Sequence, residues 1–180
     1  SAASTTLAGP TAGTTFTWTN SNTAIGLAAS GSGNVPAFTA TNTTAAPITA
    51  TITITPTANG CAGTLLSYTI TINPTPTVTA VNDQTYCNGV SAAITTLTGP
   101  VAGTTFTWTN SNTAIGLAAS GSGNVPAFTA TNTTSAPITA TITITPSANG
   151  CTGATETYTI TVNPTPTVTP VNDQTYCNGA

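Results

Sequence analysis

The sequence predicts an all-β chain of tandem immunoglobulin-like β-sandwich domains, with about seven strands in each domain. Three observations lead to this prediction. Residues 91–180 repeat residues 1–90 almost letter for letter, and a period near 90 residues corresponds to one small domain rather than to one solenoid unit. Aliphatic and aromatic residues alternate with Thr in short runs, the pattern of half-buried strands. Gly, Pro and Asn, which favour turns, separate these runs.

The second copy shows the strand pattern most clearly. Phe106 and Trp108 alternate with Thr, and β-branched residues continue the period of two through 138–145 and 157–162. The predicted strands lie near 77–86, 93–98, 104–110, 115–119, 125–132, 136–146 and 155–163. One Trp on a middle strand of each copy is typical of a sandwich core. The predicted core residues are Phe16, Trp18, Phe106, Trp108, Ile142 and Tyr158.

Proline-rich segments at 73–77 and 163–167 indicate the domain boundaries, because alternating Pro favours a short, extended and semi-rigid hinge. We predict a first repeat at 1–75 that lacks its opening strand, and a complete repeat at 76–165. Residues 166–180 are predicted to be the opening strand of a further repeat, supplied along one polypeptide or to a neighbouring subunit. The apolar positions of this predicted assembly strand are Val168, Val171 and Tyr176.

The composition excludes several classes of function. The chain has no Lys, Arg or His and only three acidic residues, so it cannot neutralise phosphates or form a basic surface for an anionic membrane. General acid–base catalysis and most metal sites lack the residues they require. No apolar run is long enough for a membrane helix. We therefore expect no enzyme activity, catalytic residue, cofactor or metal, and no nucleic-acid partner or membrane insertion. Asn82-Asp83 and Asn172-Asp173 lie near the domain joints, where a single carboxylate each favours a capped turn over a Ca²⁺ site.

Four cysteines indicate an oxidising, extracellular setting. We predict a disulfide between Cys87 and Cys151 within the second repeat, where closing a ~64-residue loop would stabilise the fold by about 4 kcal/mol. Cys61 and Cys177 then lack partners in their own repeats and are predicted to bond an adjacent copy. The alternative pairs Cys61 with Cys87 and Cys151 with Cys177, each across a proline linker.

Four segments resemble the PKD-like repeats of very large surface proteins in Bacteroidota. They are VNDQTYCNG at 81–89, GTTFTWTN at 103–110, IGLAASG at 115–121 and TPSANGCTG at 145–153. The resemblance covers the whole chain, although the Trp-Asp-Phe-Gly-Asp-Gly type of motif found in true PKD domains is absent. It implies immunoglobulin-like sandwiches in secreted adhesins or cell-surface fibres, without catalytic residues.

The leading functional hypothesis is an extracellular filament or stalk, whose partners are further copies of the same repeat. Disulfides and strands shared between repeats would hold it together. One alternative is an adhesin stalk that presents a distal binding domain. A less favoured alternative uses the Thr rows of 139–145, spaced at about 6.6–6.8 Å along a strand, to bind ice or glycans. Thr and Ser also provide possible sites for O-linked glycans.

Overall fold

The computed structural model describes residues 1–179, so the end of the predicted assembly strand, Ala180, lies outside the described residues. The described chain is nearly all β, as predicted, with two 3-10 turns. The first repeat contains β1 (Thr15–Asn20), β2 (Ser30–Ser32), β3 (Ile48–Ala58), β4 (Cys61–Ala62) and β5 (Leu66–Ile72). The second contains β6 (Gln84–Cys87), β7 (Ser91–Ala92), β8 (Thr105–Asn110), β9 (Ser120–Ser122), β10 (Phe128–Thr129), β11 (Ile138–Ala148), β12 (Cys151–Thr152) and β13 (Glu156–Asn163).

The main sheet of the first repeat has the order β2-β1-β3-β4, with β5 also paired to β3. Its pairs are antiparallel, and Trp18 lies opposite both Gly31 on β2 and Ile54 on β3. Because successive side chains of a strand point to opposite faces, the aliphatic residues of β3 face the core while its Thr residues face solvent. The buried core consists of Trp18, Ile25, Leu27, Val35, Ala50, Ile52 and Ile54.

The main sheet of the second repeat has the order β6-β13-β11-β8-β9, with β12 also paired to β11, and β7 with β10 forms a separate two-stranded sheet. This is the predicted sandwich arrangement. The strand β6 runs parallel to β13, with Gln84 opposite Ile160 and Cys87 opposite Asn163. Parallel neighbours cannot be joined by a tight hairpin, so β6 reaches this edge from a distant part of the chain.

Four predicted strands differ from the observed ones. Predicted strand 93–98 contains only an isolated bridge from Thr95 to Val125, and predicted strand 125–132 is a strand only at Phe128–Thr129. Within predicted strand 115–119, the chain instead completes a 3-10 turn, Thr113–Ile115, whose first turn is capped by the side chain of Asn112 and which ends at Gly116 with φ 95°. Predicted strand 77–86 forms a ladder only from Gln84 onward. Before it, the N–H of Thr79 donates a 2.8 Å hydrogen bond to the carbonyl of Thr98. Side-chain capping and a single long-range bond replace the predicted regular pairing at these places.

The chain also groups into two compact units that do not coincide with the repeats. One unit comprises residues 1–79, 98–106 and 145–155, and the other comprises the remaining described residues. The proline-rich linker, residues 74–79, therefore belongs to the same unit as 98–106 and 145–155. The predicted semi-rigid hinge is therefore packed as part of the folded structure.

Candidate functional site

A conventional chemical site is not evident among residues 1–179. No group of three His, Cys, Asp or Glu side chains in this part of the chain could hold a metal ion. No helix in the described chain has the length and hydropathy needed to cross a membrane. The feature that distinguishes the two repeats is a groove, which is open in the first repeat and filled in the second.

The groove of the first repeat, here called the acceptor groove, has a volume of about 630 Å³. It lies between the segment 5–11, the ends of β1 and β3, and the hairpin that carries β4. Its lining is largely apolar and includes Leu7, Pro10, Phe16, Ile54, Pro56 and Leu66. Gly9 and Gly63 also line it, and a Cβ at either position would meet only atoms of the first repeat itself, none of them closer than 3.1 Å.

The linker fills the equivalent region of the second repeat. Pro74 and Pro76 are fully buried. The carbonyl oxygen of Thr77 lies so close to Gly99 that a Cβ there would overlap it, and the carbonyl oxygen of Pro76 does the same to Gly153. Glycine is required where backbone approaches backbone this closely. Gly9 and Gly63 are the equivalents of Gly99 and Gly153. The acceptor groove therefore has both glycines, but no linker backbone from residues 1–179 packs against them.

The edge of the sheet differs in the same way. In the second repeat β6 pairs with β13, and Tyr158, Ile160 and Val162 are each 2 % exposed or less. The equivalent positions on β5 of the first repeat are only half-buried. Within residues 1–179, β5 pairs with β3 alone, so its other edge offers unpaired backbone groups to an incoming strand.

A segment suited to both openings lies at the end of the described chain. Residues 164–179, here called the tail, repeat 74–89 with a single change, Pro170 in place of Ala80. The tail forms no strand in the described structure. Val168 and Val171 are each 89 % exposed and Tyr176 is 74 % exposed. The predicted assembly-strand residues therefore face solvent.

The comparison with protein families agrees with this architecture. The profile of the family described as PKD-like domain matches residues 3–76 and 84–166. The chain belongs to the PKD-like domain family. Each matched segment is one PKD-like repeat, which confirms the predicted resemblance to PKD-like domains and the tandem immunoglobulin-like fold. No curated protein matches the chain.

The aromatic side chains show how the groove affects each PKD-like repeat. Of the predicted core residues, Trp18, Trp108, Phe106, Ile142 and Tyr158 are buried. Phe16 is only half-buried because it lines the open acceptor groove, whereas its equivalent Phe106 is 8 % exposed. Burial raises the pKa of the Tyr158 hydroxyl. The role of the four groove glycines was not predicted from the sequence, where their recurrence at matching positions was the available signal.

Asp83 helps to hold β6 of the second PKD-like repeat in register. Its carboxylate accepts a 2.7 Å hydrogen bond from the N–H of Thr159 on β13. This contact lowers the pKa of Asp83, since a carboxylate that accepts a backbone N–H is stabilised in its charged form. Asp83 was predicted to cap a turn, but its carboxylate instead accepts a hydrogen bond from a neighbouring strand.

The Asp83 contact predicts a specific acid sensitivity. Its pKa is lower in the folded than in the unfolded chain, so its contribution to stability is present above the ordinary value of about 3.9 and is lost as pH falls through the folded value. Asp83→Asn is expected to flatten the decline of the thermal unfolding midpoint below about pH 4. Glu156→Gln serves as the control. Parallel acid profiles for the parent and Asp83→Asn would contradict this role.

The predicted disulfide between Cys87 and Cys151 is not formed. All four are free thiols in the described structure. Cys87 pairs with Asn163 near the end of β11 that begins at Ile138, whereas Cys151 pairs with Ala148 at its other end. Ten residue steps along a strand separate these ends by about 33 Å. A disulfide requires Cα atoms within about 7 Å, so the predicted Cys87–Cys151 bond does not fit this sheet.

Proposed function

We propose that this chain is a structural module of an extracellular filament or stalk, in which PKD-like repeats are linked head to tail by sharing strands. One observation carries the proposal: the linker and β6 complete the second repeat, while the first repeat has the same openings unfilled and the tail is exposed. PKD-like domains are typically extracellular and non-catalytic, which agrees with this role.

The occupant of the acceptor groove is the tail of a second copy of this chain. By equivalence with the second repeat, Pro164 and Pro166 enter the groove, and the N–H of Thr169 donates to the carbonyl of Ala8. Residues 174–177 then run parallel to 70–73 and extend the sheet at β5. Main-chain hydrogen bonds supply affinity in such strand addition, and side chains in pockets supply register.

The carboxylates support the same register. Asp173 is equivalent to Asp83, so in the joined state it accepts the N–H of Thr69, as Asp83 accepts that of Thr159. Joining also covers the exposed tail side chains and the half-buried residues of β5. The chain has no Lys with which to protect a sheet edge from aggregation. Pairing the edge with a strand satisfies its free backbone groups and prevents such aggregation.

The alternatives from the sequence have less support. In an adhesin stalk the repeats keep this structural role, and binding would reside in a further domain. The Thr residues of β11 and β13 face each other across the sheet, with a 3.0 Å contact between the Thr139 and Thr161 hydroxyls. Strand twist turns such rows away from a flat lattice, so solvent-facing strands explain them without ice or glycan binding. Their hydroxyls remain possible sites for O-linked glycans.

Blocking the acceptor groove tests the proposal. In Gly9→Ala/Gly63→Ala the new methyl groups lie 3.5 Å from the Phe16 ring and 3.1 Å from the Pro56 ring, so only a small shift of the Pro56 ring is needed to accommodate them. At the equivalent glycines, Gly99 and Gly153, a Cβ overlaps the entering backbone. The double variant is therefore expected to stay monomeric, by light scattering under reducing conditions, at concentrations where the parent forms multimers.

The control is Ala28→Val, which adds bulk on an exposed loop that does not line the groove. It should form multimers like the parent. Circular dichroism should show that the groove variant retains the β structure and thermal midpoint of monomeric parent protein. A parent chain that stays monomeric at every concentration, or a groove variant that assembles normally, would show that the tail does not fill this groove.

A further inference from the structure

We infer that a disulfide locks each joint between consecutive repeats, connecting the cysteine at the end of one repeat's opening strand to the hairpin cysteine of the next repeat. Between two copies, Cys177 of the donor copy bonds Cys151 of the acceptor copy, and Cys87 of the donor bonds Cys61 of the acceptor. The inference rests on the strand sharing proposed above.

The opening-strand cysteine and the hairpin cysteine lie at opposite ends of a repeat. Cys87 closes β6 at the end of the sheet where β13 leads into the tail, opposite Asn163. Cys151 follows the hairpin turn at the far end, opposite Ala148. Cys61 has the same place in the first repeat, opposite Ala58 on β3. A disulfide within one repeat therefore cannot form. Joining consecutive repeats end to end instead brings the opening-strand cysteine of one repeat near the hairpin cysteine of the next.

One hydrogen bond shows which groups meet at a joint. The side-chain amide of Asn73, just after β5, donates to the carbonyl of Asn149 at 2.9 Å. Asn149 lies two residues before Cys151 in the hairpin turn, and both asparagines belong to one compact unit. The hairpin that carries Cys151 therefore contacts the residue at the end of the first repeat's sheet.

The donated tail places the second thiol beside the same asparagine. Cys87 is paired with Asn163, and the N–H of the following Asn88 donates to the carbonyl of Asn163 at 2.9 Å. By equivalence, Cys177 of the donor is paired with Asn73 of the acceptor. Paired residues of neighbouring strands project to the same face of a sheet, so Cys177 and Asn73 both point toward the Asn149 turn. Cys177 and Cys151 thus meet at this joint.

The reaction is an ordinary thiol–disulfide exchange with a disulfide oxidant, for which oxidised glutathione is a suitable reagent. Two protein thiols become one protein disulfide, and their two electrons and two protons convert oxidised glutathione to two reduced glutathione molecules. Cys61, Cys87 and Cys177 are exposed and Cys151 is half-buried, so the oxidant can reach them. The residue pairs match the alternative predicted from the sequence, but they form between copies instead of within one chain.

Two double variants test the pairing. Cys61→Ser/Cys87→Ser retains Cys151 and Cys177, and should form a ladder of covalent multimers with oxidised glutathione on a non-reducing denaturing gel. Cys87→Ser/Cys151→Ser retains Cys61 and Cys177, and should give no ladder. In the oxidised parent, peptide mapping should find Cys177 bonded to Cys151 and Cys87 bonded to Cys61. A ladder from the second variant alone, or bonds only within single chains, would overturn the inference.

A variant with serine at all four cysteines separates this inference from the proposed function. It should still form non-covalent multimers by light scattering, because strand sharing does not need the disulfides. Failure of this variant and the reduced parent to associate would refute strand sharing itself. If both associate but Cys61→Ser/Cys87→Ser forms no ladder, strand sharing stands and the disulfide assignment is wrong.

Discussion

Trp108→Ala is expected to lower the free energy of unfolding of the second repeat by about 3–5 kcal/mol, the range for removing a large aromatic side chain from a core. Trp108 is 3 % exposed and lies opposite Gly121 of β9. A Cβ on Gly121 would overlap the indole ring, so the ring packs directly on the glycine backbone. Its Nε1 has no hydrogen-bond partner among residues 1–179, so packing rather than hydrogen bonding accounts for its contribution.

Urea unfolding followed by circular dichroism would measure this loss. Trp18→Ala is the matched variant in the first repeat, because Trp18 is also 3 % exposed and lies against Gly31. Each variant retains one Trp as a fluorescent reporter of the unaltered repeat. That reporter should keep the unfolding midpoint of the parent at low protein concentration. A Trp108→Ala chain with the parent's two-repeat stability would exclude Trp108 as the packing centre of its sandwich.

Asn132→Ala is expected to destabilise the second repeat by about 2–4 kcal/mol, since four hydrogen bonds of about 0.5–1.5 kcal/mol each are lost in part. Asn132 is 3 % exposed. Its amide donates to the carbonyls of Ala136 and Val162, each at 2.8 Å. Its carbonyl oxygen accepts from the N–H and the hydroxyl of Thr134. Asn132 therefore ties the 132–136 turn to the end of β13.

Asn42→Ala is the matched control for Asn132. Asn42 makes the same contacts to Ala46, Ile72 and Thr44, but it is only half-buried. Water can satisfy the freed carbonyls there, so the loss should be smaller. Hydrogen exchange with mass spectrometry would compare peptides from 66–72 and 156–163, whose sequences differ. Equal losses in the two repeats would contradict the importance of burial at Asn132.

The strands with the clearest period of two were predicted close to their observed positions. Predicted 104–110 and 155–163 correspond to β8 and β13, because a half-buried strand imposes alternation on its own sequence. The strand predicted at 115–119 was wrong, because the chain there follows a 3-10 turn capped by Asn112. A hydrophobic pattern does not indicate capping by a side chain. The sequence also predicted a strand in the tail, but residues 164–179 form none in the described structure.

The prediction of a Cys87–Cys151 disulfide was wrong for a different reason. Loop length can be counted along the chain, and it favoured a bond between Cys87 and Cys151. Register decides which end of a sheet each residue occupies, and the parallel pairing of β6 with β13 placed these cysteines at opposite ends of β11. Parallel pairing involves residues far apart in sequence, so local pattern does not encode it.

The amino-acid sequence alone determined the tandem repeat, the all-β class and the absence of residues for acid–base or phosphate chemistry, because periodicity and composition are properties of the chain itself. Tertiary structure alone decided that Gly99 and Gly153 receive the linker backbone, that Gly9 and Gly63 line an open groove, and where each thiol lies. These features depend on close approach between distant segments. Such approaches exist only after the sheets have set their register and packed.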